Sequence, residues 1–96
     1  MNNGTQYKFR LYISGHSPNS VQAVANLNAL CHQHLAGRHE IEIVDVLKEP
    51  RRALSDVVLL TPTLVKFSPA PVRKIVGTLN QTQTVLQALG LPIQPL

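Results

Sequence analysis

Tryptophan is absent from this 96-residue sequence, and Phe and Tyr occur only twice each, so the core it builds must be aliphatic. A single cysteine excludes an internal disulfide and argues against a stapled secreted scaffold. No apolar run approaches the roughly 18 residues of a membrane span. The opening MNNGTQ is polar and lacks the pattern of a signal peptide. A cytoplasmic chain with no membrane partner is the expectation. Acid is missing from the second half: Glu40, Glu42, Asp45, Glu49 and Asp56 are the only acids, whereas Lys66, Arg73 and Lys74 follow Val57 with none between or after. The net charge of +4 is therefore unevenly placed. A basic face of that kind meets nucleic acid or an acidic protein surface. There is no basic run, no aromatic stacking set and no nucleic-acid motif, so nucleic acid is not an expected partner.

What is present fits one α/β domain over residues 1–96, with a polar tail at 1–6 and a short C-terminal tail at 91–96. Tyr7, Phe9, Leu11 and Ile13 alternate with Lys8, Arg10 and Tyr12, the pattern of a half-buried strand. Ser17-Pro18 then supplies an N-cap and a proline at the first helical position. Val21, Val24, Leu27, Cys31 and Leu35 recur at helical steps, and Gly37 suits the C-terminal cap. Residues 40–46 form a second strand, with Ile41 and Ile43 on one face and Val44 and Val46 on the other. Strand, helix and strand in that order imply a parallel crossover unit. Pro50 opens a short helix from Arg51 to about Leu59, turning Ala53, Leu54, Val57 and Val58 inward.

The stretch from Val57 to Gly77, VVLLTPTLVKFSPAPVRKIVG, organises the rest. Thr61-Pro62 is a candidate cis peptide bond. Leu64–Phe67 and Val72–Val76 form an antiparallel hairpin across the corner Ser68-Pro69-Ala70-Pro71, displaying Lys66, Arg73 and Lys74. Asn80, with Gln83 as its capping-box partner, starts a last helix whose stripe is Val85, Leu86 and Leu89; Gly90 stops it and Pro92 prevents continuation. The sum is β-α-β-α-β-β-α, the order of a thioredoxin-like domain.

No catalytic constellation is legible. A thioredoxin-type redox enzyme needs thiols at the start of the first helix, where this chain reads Gly15-His16-Ser17-Pro18. Cys31 lies instead on the apolar stripe and reads as a small buried hydrophobe. His32 and His34 point to different faces of one helix and His39 follows a turn, so no metal site is expected. Asp45 reads as a strand-end carboxylate that holds the next turn. No cofactor is implied.

Three segments, KFRLYISGHSPNSVQAVANLNAL, IVDVLKEP and TPTLVKFSPAPVRKIVG, together resemble the circadian clock protein KaiB family, with matching order and spacing from about Tyr7 to Gly90. The resemblance implies a non-enzymatic cytoplasmic regulator. Members bind the N-terminal ATPase ring of KaiC, a hexameric autokinase, promote its dephosphorylation, sequester KaiA, and compete with a sensor histidine kinase whose sensor domain is KaiB-like. It also implies fold switching between a monomeric thioredoxin-like state and a homo-oligomeric ground state that keeps the β-α-β half and repacks the C-terminal half. The switching segment would hold Pro62, Pro69 and Pro71. Lys66 and Arg73, with Lys74 beside them, match basic positions used toward KaiC. Gln22 and Glu42 stand where clock members carry basic residues, and Ala88 and Gly90 replace a family Gly and Asp. These departures frame two expectations: a KaiC-binding regulator in circadian or stress-related timing, and a thioredoxin-like adaptor in two-component stress signalling that works without KaiC.

Overall fold

Strand β1 (Tyr7–Ile13) is the spine of the molecule, because both its edges are paired and both its faces are covered. The computed structural model describes residues 5–91. After β1 come helix α1 (Pro18–His34), β2 (His39–Asp45), the short helix α2 (Pro50–Ser55), β3 (Thr63–Ser68), β4 (Arg73–Val76) and α3 (Thr82–Ala88). The strands form a four-stranded sheet in the order β2-β1-β3-β4. β2 runs parallel to β1, while β1–β3 and β3–β4 are antiparallel. This is the thioredoxin-like arrangement and not the repacked alternative. Among the described residues no helix is long and apolar enough to cross a membrane.

One face of the sheet carries the larger core. Tyr7, Phe9, Leu11 and Leu64 meet Ala23, Leu27, Leu30, Cys31 and Leu35 of α1 and its end, and Val85, Leu86 and Leu89 of α3. The stripe of α1 is rotated from the one its valines suggest: Ser20, Ala23, Leu27, Leu30 and Cys31 are buried and Val21 is exposed. Small residues let the helix lie close to the sheet, so Ala23 faces inward. Ser17 caps α1 as expected, accepting from the Ser20 amide. The helix ends on Leu35, two residues before Gly37, which takes the left-handed conformation at φ 74°.

The other face holds a smaller core of Tyr12, Val44, Ala53, Val58 and Val65. Tyr12 is therefore not on a solvent side; residues 49–58 lie over it. α2 ends at Ser55 rather than near Leu59, and only Ala53 and Val58 of its expected inward set are buried, while Leu54 and Val57 are exposed. Ile43 is also exposed, since β2 is an edge strand with only one neighbour. The hairpin forms as expected, with β4 starting at Arg73. Thr61–Pro62, Ser68–Pro69 and Ala70–Pro71 are cis. Helix α3 starts from Gln81, not from a capping box of Asn80 and Gln83, and no side chain caps it. Pro92, expected to follow α3, lies outside the described residues.

Candidate functional site

Strand alternation separates the three basic residues of the hairpin. Lys66 pairs with Arg73 across β3 and β4, so both belong to the α3 face, whereas Lys74 belongs to the opposite one. Lys66 is not displayed: it is 3% exposed. Its strand lies between β1 and β4, and its Nζ donates to the Leu89 carbonyl at 3.2 Å. That carbonyl belongs to the last turn of α3, where helix carbonyls lack internal partners and a cation is favoured. Burial, and secondarily the Arg73 charge, push the Lys66 amine below its ordinary value. Arg73 and Lys74 are exposed on β4, the other edge strand.

Lys74 reaches residues 49–58, donating to the Asp56 carbonyl and to that of Val57 at 3.4 Å. Beside it, Val57, Leu59, Leu60 and Val76 line a groove of about 220 Å³ together with Val58 and Thr63. Leu59 is 83% exposed and Leu60 63%, unusual for adjacent leucines. Val57 sits at φ 55°, a strained conformation for a β-branched residue. The apolar groove and the basic edge strand form one surface.

Farther along the same face, Glu42, Arg10, Val65 and Lys74 lie in register across β2, β1, β3 and β4. Glu42 does not stand free. Its carboxylate accepts from Arg10 Nε at 2.9 Å and pairs with Arg52 Nη1 at 2.7 Å. Arg10 also donates through Nη1 to Asp56 Oδ2 at 2.8 Å, and its guanidinium lies 4.5 Å from the centre of the Phe67 ring. The Tyr12 hydroxyl is within reach of the same Asp56 oxygen and of the Arg52 carbonyl. Hydrogen bonds from Arg52 and Arg10 bring the Glu42 carboxyl down to about 2. Burial opposes ionisation of Asp56, but the bonds from Tyr12 and Arg10 outweigh it and hold its value below the ordinary one. Burial likewise opposes the Arg10 charge and is outweighed by Glu42 and Asp56, which raise its value.

Of the other expected positions, Gln22 is exposed on α1, in the layer covering the opposite face. Pro62 is buried before β3 and its carbonyl accepts from Gly77 at 2.9 Å; Pro69 and Pro71 form the hairpin corner. Ala88 is the exposed last residue of α3, and Gly90 follows at φ 76°. Asp45 does hold a turn: its Oδ1 accepts from the amides of Gly15 at 3.1 Å and Leu47 at 2.9 Å. Cys31 is fully buried, and burial pushes its thiol up to about 12. Sequence reasoning missed Arg10, Tyr12, Arg52 and Asp56. The available signal was a Tyr and an Arg on the polar side of β1, opposite a segment carrying Arg52 and Asp56.

A KaiB domain model matches residues 10–91. The chain is 44% identical over 86 residues to the circadian clock protein KaiB3 of Synechocystis sp., covering 90% of this chain and 82% of that protein. It is 45% identical over 85 residues to the circadian clock oscillator protein KaiB of Cyanothece sp., covering 88% and 81%. Among solved structures, the N-terminal domain of Synechococcus elongatus SasA matches at a TM-score of 0.71 and 18% identity, over 100% of this chain and 94% of that one. Oxidised mitochondrial thioredoxin 3 from Saccharomyces cerevisiae matches at 0.71 and 18%, over 91% and 80%.

Proposed function

The chain belongs to the KaiB family, and on that premise we propose that it is a non-enzymatic cytoplasmic regulator that docks on a KaiC-type hexameric ATPase and modulates its phosphorylation state. The observation that carries this reading is the β4 surface. An unpaired strand edge offers backbone donors and acceptors, Arg73 and Lys74 make it basic, and Leu59, Leu60 and Val76 give it an apolar flank. Exposed apolar patches rimmed by polar groups mark protein interaction sites, and a basic rim favours an acidic partner. In this state Arg73 and Lys74 are the accessible basic contacts, while Lys66 acts from beneath by capping α3. Unbound, the chain forms a homo-oligomer, a dimer or tetramer, in which this apolar surface is covered.

Size-exclusion chromatography with light scattering tests the reading, on the chain alone and with a KaiC-type hexamer supplied with ATP. The expected result is an oligomer that yields monomers bound to the hexamer, with Arg73→Glu weakening that binding by about tenfold or more. A chain that never joins the hexamer would overturn the reading. A sensor histidine kinase would then be the partner to test, since Gln22 and Glu42 leave two positions without the basic charge of clock members.

A further inference from the structure

We propose that residues 49–58 are a strap held over the sheet by an ionic clasp, that Glu42 is its keeper, and that the strap releases as a unit when the clasp opens. The clasp is a closed ring. Glu42 on β2 binds Arg10 on β1 at 2.9 Å and Arg52 on the strap at 2.7 Å, and Arg10 binds Asp56 on the strap at 2.8 Å. Tyr12 closes it, its hydroxyl lying against both Asp56 and the Arg52 carbonyl. Arg52 in the last turn of α2 and Asp56 at its C-cap are thus each tied to the sheet by a charged side chain.

The strap needs this clasp because its apolar grip is small. Only Ala53 and Val58 are buried, at 7% and 9% exposure, whereas Leu54 and Val57 point to water. α2 is six residues long and its N-cap Glu49 makes no side-chain cap bond. A helix that short does not persist once it leaves its support. Lifting the strap therefore breaks its internal bonds, Asp56 N to Arg52 O at 3.2 Å and Val58 N to Ala53 O at 2.8 Å. It also bares Tyr12, Val44 and Val65, an apolar sheet face now covered. Charge at position 42 sets how often this happens. A lysine there would place a third cation between Arg10 and Arg52, and like charges in contact repel.

Amide hydrogen exchange on the intact chain, resolved by residue, tests this with Glu42→Lys and the milder, shape-keeping Glu42→Gln. Amides of residues 52–58 are expected to exchange about tenfold faster in the lysine variant and about threefold faster in the glutamine variant. Amides of the β1–β3 ladder stay slower than those of the strap in every variant, because they open only with the whole fold. Raising the salt to about 0.5 M, where charges are screened within about 4 Å, narrows the difference between wild type and the lysine variant. Unchanged exchange in the strap of both variants would overturn the proposal. So would strap amides that exchange as slowly as the β1–β3 ladder in the wild-type chain, which would mean that the strap opens only with the whole fold.

Discussion

Cys31 and Lys66 have opposite relations to their surroundings, and each yields a different chemistry. Cys31 sits on the buried stripe of α1 with no charged neighbour to favour a thiolate, and burial alone moves it from 9.0 to about 12. Its reactivity should therefore follow unfolding, because the thiolate is the nucleophile. At pH 8 a thiol reagent is expected to label Cys31 at the rate of global unfolding, rising in parallel with added urea. Labelling as fast as that of a free thiol, with the fold intact, would refute the buried placement. Lys66 is buried too, yet it has a polar partner, the Leu89 carbonyl at the end of α3. From sequence alone Lys66 reads as displayed on the hairpin. The strand order that puts β3 inside the sheet, and the helix end that receives the amine, are tertiary facts that no local pattern encodes.

At the scale of elements, α3 is the most finely balanced. It is seven residues long and closes with a Schellman arrangement: Gly90 N bonds Gln87 O at 3.1 Å and Leu91 N bonds Leu86 O at 2.8 Å. Gly90 takes φ 76°, which glycine adopts without the steric penalty of other residues. Ala88 is exposed in the last turn, so its contribution is propensity rather than packing. Ala88→Gly is expected to cost the fold up to about 1 kcal/mol and to loosen the last turn of α3. Urea unfolding and the amide spectrum of residues 82–91 would read both effects, and an unchanged midpoint with unchanged peaks would refute the prediction. The type and order of every element were legible from periodicity and from the Gly and Pro punctuation. The faces were less so. Val21 looked inward because valine outranks alanine in hydrophobicity, whereas the sheet accepts Ala23 for its size. Residues 51–59 looked like one helix because Ala53, Leu54, Val57 and Val58 can be fitted to an inward stripe, but α2 ends at Ser55, Leu54 is exposed, and Val57 joins Leu59 and Leu60 beside the β4 edge. The clasp was invisible because its members come from three separate stretches of chain, joined only once β1, β2 and α2 are in place.

For the molecule as a whole, these groups determine how stability responds to pH, and their signs differ. Glu42 falls from 4.5 to about 2 in the folded state through its bonds to Arg52 and Arg10. Asp56 and Asp45 are also lowered, Asp56 by Tyr12 and Arg10 against its burial, Asp45 by the amides of Leu47 and Gly15. An acid whose folded value is depressed binds protons less readily than in the unfolded chain, so its contribution is full above the unfolded value and disappears as pH falls through the folded one. The acid limb should therefore lie between about pH 4.5 and 2. On the alkaline side Cys31 rises from 9.0 to about 12, and Tyr12 is raised by burial and by Asp56. Their contributions are full below the unfolded values and fade as pH climbs through the folded ones. Lys66 acts the other way: its lowered value means that the folded state is penalised at neutral pH, and the penalty is relieved as pH approaches 10.5. A stability plateau between about pH 5 and 8.5 follows from these windows. Glu42→Gln should flatten the acid limb, by less than about 1 kcal/mol given the exposure of the pair, and Cys31→Ala should delay the alkaline one. Urea midpoints measured from pH 2 to 11 decide the matter. An acid limb of unchanged steepness in the glutamine variant would mean that the clasp contributes nothing to global stability, leaving the hydrophobic cores to carry the fold.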